Sequence, residues 1–82
     1  MEIRLTEKAQ QQFLALPKVL RRKTEKQFGY LLRDYRHPSL KSKKYHEATG
    51  ELWQARIDAQ WRFYFFIQHP AYIVVAIIAH PK

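Results

Sequence analysis

The chain contains no cysteine, which excludes both a disulfide framework and a thiolate metal site. Its histidines, His37, His46, His69 and His80, stand singly, and no HxxxH or HExxH spacing sets two of them on one helix face. No metal centre is expected. The longest apolar run, Ala71–Ala79, falls far short of the ~20 residues a membrane-spanning helix needs. Met1–Lys8 alternates charged and apolar side chains and so lacks the basic-then-apolar pattern of a secretory leader. The expectation is a cytoplasmic protein without a membrane segment. Internal repeats and low-complexity stretches are also missing. Acidic residues are few, seven Asp and Glu against fifteen Lys and Arg, leaving a formal charge of +8. A net charge of magnitude ~2–8 is ordinary for a small domain, and this value sits at the edge of that range. The pI near 10.1 fits a polyanionic partner, as for basic domains with pI above ~9. An acidic protein would satisfy the same field.

What is present is one domain's worth of chain, 82 residues. With 46% hydrophobic and 15% aromatic residues it can build one dense core, which argues against disorder. We therefore expect a single domain over residues 1–82.

The hydrophobic period changes midway. Met1, Ile3 and Leu5 alternate with charged residues and predict a short edge strand. Thr6 suits a helix N-cap, with Glu7 in the first turn. Ala9, Phe13 and Leu16 recur at helical spacing, and Pro17 both closes that helix and can open the next. The second helix carries Leu20, Phe28, Leu31 and Tyr35 on its apolar stripe and is expected to run to Pro38. Ser39–Gly50 is polar and basic and reads as a loop. From Glu51 the period becomes two. Trp53, Ala55 and Ile57 form one strand face, Trp61, Phe63, Phe65 and Ile67 another, and Tyr72–Ala79 is apolar throughout, as in a strand covered on both faces. The implied fold class is α+β, an N-terminal helical hairpin packed on one face of a small antiparallel β-sheet.

The pleat fixes a pairing. If Trp61, Phe63 and Phe65 face the core opposite Ile57, Ala55 and Trp53, the reversal over Asp58–Gln60 sets Arg56 directly across from Arg62 on the other face. A one-residue slip would send the two apolar faces to opposite sides. Like charges at such positions repel on the roughly 0.2–1 kcal/mol scale of cross-strand pairs, whereas an anion held between two guanidinium forks would turn that repulsion into binding. Each arginine meeting its own acid, or splaying into water, is the alternative. The third strand returns His80 to the same sheet end, with its face left open between two registers. Two arginines and a histidine suffice for phosphodiester cleavage: the guanidiniums stabilise charge on the phosphate and the imidazole moves a proton. An ordinary surface histidine is the competing account of His80, and a core position that of Trp61, which might otherwise stack on a base.

The segment Trp53-Gln-Ala-Arg56-Ile57-Asp58-Ala-Gln-Trp61-Arg62-Phe-Tyr-Phe resembles the W-x-x-R-I-x-x-x-[aromatic or His]-R hairpin of the RelE/ParE superfamily of toxins. His37-Pro38-Ser39-Leu40 and the lysines after it resemble the helix-to-sheet connector of that family, and Ile77-Ile78-Ala79-His80 resembles its terminal strand. The resemblance implies a RelE-like fold and a type II toxin–antitoxin module: a ribosome-dependent, metal-independent endoribonuclease that cleaves messenger RNA by attack of a ribose 2′-hydroxyl on the adjacent phosphate. It implies no cofactor; the partners are a cognate antitoxin, the ribosome and mRNA. By the same resemblance Arg62 matches the transition-state arginine, Arg56 its companion and His80 a terminal general acid or base. Lys41, Lys43 and Lys44, together with Lys82, match residues that hold RNA backbone. The family's terminal tyrosine has no counterpart, since Pro81-Lys82 follow His80, and neither Glu47 nor Glu51 aligns clearly with its glutamate base. Two other readings stay open: a ParE-like poison of DNA gyrase, and a non-catalytic RNA- or ribosome-binding module.

Overall fold

The computed structural model describes residues 1–47 and 50–80. A short strand, β1 (Glu2–Leu5), leads into helices α1 (Glu7–Ala15) and α2 (Lys18–Arg33), a 3-10 turn at Pro38–Leu40, and four strands: β2 (Lys43–Glu47), β3 (Gly50–Arg56), β4 (Trp61–Gln68) and β5 (Ala71–Ala79). They form one five-stranded sheet in the order β1-β5-β4-β3-β2. The pairs from β5 through β2 are antiparallel, but β1 lies parallel to β5, so the sheet is mixed rather than wholly antiparallel.

Thr6 caps α1 as its residue type predicts, its Oγ1 accepting from Ala9 N at 3.2 Å. Thr6 N also donates to Val74 O at 3.0 Å, tying the helix start to the sheet. Leu16 and Pro17 turn the chain into α2, and Phe13 of one helix meets Phe28 of the other with ring centroids 6.3 Å apart. The buried line of α2 is Leu20, Thr24, Gln27 and Leu31. Two of these are polar, and Phe28 and Tyr35 sit only half-buried beside the core. The polar pair is satisfied locally. Thr24 Oγ1 donates to Leu20 O at 2.9 Å, and Gln27 Nε2 donates to Ser39 O and Arg56 O at 3.0 and 2.8 Å.

Two expectations are corrected. The second helix ends at Arg33, ahead of Pro38, because the Asp34 carboxylate accepts from Arg36 N at 2.8 Å and draws the backbone out of the helix. Ser39–Gly50 is not a loop: Leu40 is fully buried, Lys41 takes a left-handed conformation (φ 46°), and Lys43–Glu47 pairs with β3 as an edge strand. A strand with lysines at its sheet edge carries no apolar alternation, and that charge is what keeps an open edge from pairing with other chains.

The helices cover one sheet face. Ala55, Ile57, Phe63, Phe65, Tyr72, Val74 and Ile77 are buried beneath them, with Phe28 edge-on to Phe63 at 5.1 Å. Trp61 packs against this core, as the pleat requires. The opposite face of β5 is less covered than a central strand's would be, with Ile73 and Ala76 half-buried and Ile78 exposed. No helix among the described residues is long and apolar enough to cross a membrane. Because Leu40 anchors the connector in the core, Leu40→Ala is expected to destabilise the protein by about 2–5 kcal/mol, read as a lower midpoint of urea unfolding.

Candidate functional site

The hairpin between β3 and β4 pairs Trp53 with Phe65, Ala55 with Phe63 and Arg56 with Arg62. Both arginines therefore lie on the face turned away from the helices. The reversal is held by Asp58, whose Oδ1 accepts from Gln60 N at 2.8 Å and Trp61 N at 2.9 Å, while Lys23 Nζ approaches Oδ2 at 3.6 Å. Partial burial pushes the Asp58 carboxyl upward. The two backbone N–H groups and the Lys23 ammonium outweigh it and hold the group below the usual 3.8.

His80 reaches the same face through an irregularity in β5. Tyr64 pairs with Ala76 but Phe65 pairs with Val74, so Val75 is an extra residue between them. Without it, the alternation that buries Tyr72 and Val74 would carry Ala76, Ile78 and His80 to the helix side. The bulge reverses the phase: Ile77 is buried, Ile78 pairs opposite Arg62, and His80 falls on the outer face, its N–H bonded to Gln60 O.

Arg56, Arg62 and His80 line one cleft of about 280 Å³ together with Lys41, Lys43, Tyr45 and Gln54. Arg62 is only 6% exposed. One of its terminal nitrogens, Nη1, donates to the carbonyls of Asp58 and Trp61 at 2.6 and 3.0 Å. Neither Arg62 nor Arg56 forms a salt bridge among the described residues. Arg62 is thus a nearly buried cation with neutral partners, an arrangement that is costly unless an anion completes it. Arg56 is steadied from behind, since its carbonyl accepts from Gln27, which also holds Ser39 in the connector leading to Lys41.

Lys44 is separated from this group. Its strand neighbours alternate, so Lys44 pairs opposite Trp53 on the helix side, lies 5.8 Å from that ring and bridges to Glu51 at 3.5 Å. Lys44, Glu51, Trp53, Tyr35 and Ile67 border a larger groove of about 680 Å³. That groove is the more spacious, but its rim cation and anion neutralise each other and no set of like charges converges there. The chemistry lies in the smaller cleft. Lys82 and the side chain of Glu47 lie outside the described residues. Tyr45 and Gln54 were not anticipated from the sequence. Gln54 alternates in phase with Arg56, which is a readable signal, whereas Tyr45 belongs to the segment whose strand character was masked by its lysines.

No protein-family model matches the sequence, and no curated protein matches it. Solved structures do match. What the architecture defines is an α+β domain whose bare sheet face carries a basic cleft. It shares the fold of the RelE/YoeB/ParE toxins: the YoeB/ParE toxin from Agrobacterium tumefaciens superposes with a TM-score of 0.83 at 15% identity, covering 99% of this chain and 100% of that one. The RelE of an archaeal RelE-RelB complex from Pyrococcus horikoshii OT3 gives 0.82 at 12% identity, covering 99% and 96%. The YoeB dimer from Staphylococcus aureus gives 0.81 at 13%, covering 99% and 98%.

Asp58→Ala removes both turn hydrogen bonds and is expected to cost roughly 2 kcal/mol, measured by denaturant titration at pH 7. The acid side is separable. A carboxyl held below its unfolded value contributes stability above that value and loses it as pH falls through the folded one. Stability should therefore decline below about pH 4, and Asp58→Asn should make that decline shallower in thermal melts between pH 2 and 6.

Proposed function

We propose that this protein is the toxin of a type II toxin–antitoxin module, acting as a ribosome-dependent endoribonuclease on messenger RNA. The observation that carries the reading is Arg62, a guanidinium almost wholly removed from water, without a carboxylate partner among the described residues, at the wall of a cleft that also holds Arg56 and His80. A phosphodiester supplies the missing anion. Its non-bridging oxygens fit between two guanidinium forks, and they gain negative charge as the phosphorus becomes five-coordinate.

In the proposed reaction the ribose 2′-oxygen attacks phosphorus and the bond from phosphorus to the 5′-oxygen breaks. The products are a 2′,3′-cyclic phosphate and a free 5′-hydroxyl. Arg62 and Arg56 stabilise the pentacovalent dianion. His80, exposed at the mouth of the cleft, delivers the proton that the leaving 5′-oxygen requires. Lys41 and Lys43 lower the cost of the 2′-alkoxide, whose proton passes to water, and they hold the flanking backbone. Each lysine contributes about one phosphate contact to the salt dependence of binding.

The RelE from Pyrococcus horikoshii is seen in complex with RelB. For this chain, with its +8 charge, the matching partner is an acidic antitoxin that neutralises the same field.

Primer extension on ribosome-bound message tests the activity. The wild-type chain should produce discrete stops within codons, and Arg62→Ala and His80→Ala should each weaken them by 100-fold or more, on the order of a lost charge stabiliser or general acid. Growth arrest that persists in His80→Ala cells, with message left intact, would replace cleavage by simple ribosome binding. Gyrase-linked DNA breaks would point instead to a ParE-like target.

A further inference from the structure

Gln54 is 7% exposed and lies on the floor of the cleft, between Lys43 and Tyr64 on the neighbouring strands. Its Oε1 accepts two hydrogen bonds, from the Tyr45 hydroxyl at 3.1 Å and the Tyr64 hydroxyl at 3.3 Å. An amide oxygen offers two lone pairs, and both are taken. The nitrogen end is different. Nε2 has no hydrogen-bond partner among the described residues, yet it is not one of the sealed, unpartnered atoms, among which the described residues include only Arg21 Nε. It therefore retains access to solvent, and the wall it reaches through is the cleft. Two tyrosines thus lock an otherwise reversible amide with its acceptor consumed and its donors outward.

We propose that Gln54 selects the base beside the bound phosphate, favouring the keto bases guanine and uracil over the amino bases adenine and cytosine. This inference rests on the cleft binding RNA and adds its specificity. Guanine presents acceptors at O6 and N7, and uracil at O4. Adenine and cytosine present amino donors at N6 and N4. A free glutamine pairs with adenine by using its oxygen and nitrogen together. Here the oxygen is already occupied, so adenine's amino group meets no acceptor and is left unpaired. Gln54 and Arg56 share a face two residues apart, about 7 Å along a strand, comparable with the span of one nucleotide. Tyr45, 42% exposed and lining the same cleft, offers a ring against which the base stacks.

The test is fluorescence anisotropy of the full chain with labelled single-stranded RNA tetramers that differ at one base. The guanine and uracil tetramers are expected to bind about five- to tenfold more tightly than the adenine and cytosine ones. Gln54→Glu, which replaces donors by acceptors in the same shape, should reverse the order. The double variant Tyr45→Phe/Tyr64→Phe frees Oε1 and should raise adenine affinity toward that of guanine, with circular dichroism reporting that each variant folds. Equal binding of all four tetramers by the wild-type chain overturns the role of Gln54 and leaves RNA cleavage standing. A keto preference that survives unchanged in both variants likewise overturns it. Failure to bind any RNA overturns the cleft's proposed function, and this inference with it.

Discussion

Between β3 and β4 the chain reverses over three residues, and the register set there decides which side chains meet water. Asp58 closes the turn with two backbone hydrogen bonds, but the larger force is the pleat. Phe63 and Phe65 are fully buried on the helix side. Burying an aromatic side chain removes ~150–250 Å² from water, worth roughly 4–6 kcal/mol each at about 25 cal/mol per Å². A slip of one residue would forfeit both. Against that, two arginines placed opposite each other cost about 1 kcal/mol or less. The core therefore imposes the arginine pair, and the surface bears a repulsion that the core could not avoid without changing residue types.

That repulsion is not relieved locally. Arg62 Nη1 turns back to two carbonyls of its own hairpin, which orients the guanidinium and offsets part of its desolvation, but carbonyl dipoles do not neutralise a charge. The imidazole arrives by a separate device, the extra residue in β5. One inserted position moves Ile77 into the core and His80 out of it, so packing and chemistry are satisfied by the same bulge. Gln27 couples the layers: an amide on the buried line of α2 holds the carbonyls of Ser39 and Arg56. The helical layer thus grips the site's backbone from the side opposite its reacting groups.

Wherever apolar residues alternate cleanly, the sequence was enough to read the structure. The Arg56–Arg62 pairing, the placement of Trp61 against the core and the Thr6 cap all follow from residue type and period. The face of His80 did not, because a bulge is invisible to a period-two pattern: Tyr72–Ala79 is apolar in either phase. β2 was illegible for the opposite reason, since Lys43 and Lys44 satisfy an edge strand through charge and leave no apolar stripe. The end of α2 was misplaced by four residues because Pro38 is a stronger breaker than Asp34 on paper, yet Asp34 acts first through its own side chain. Lys44 was grouped with Lys41 and Lys43 by proximity in the chain, and only the strand's alternation separates it.

The likeness to the RelE/YoeB/ParE structures at 12–15% identity has a physical explanation that also limits what it carries. The fold needs apolar residues on the helix face of β3, β4 and β5 and two helices to cover them, a binary requirement that many sequences meet. Arg56, Arg62, Gln54 and Lys43 lie on the other face, where stability does not choose them. Shared architecture thus accounts for the platform, and the chemistry must be argued from the cleft itself. There, a cation that is 94% buried by the measure of its 6% exposure is an unfavourable possession for a bare structural domain. It becomes favourable once the protein's working state includes an anion, and the lysines along the adjoining edge strand show from which side a polyanion would approach.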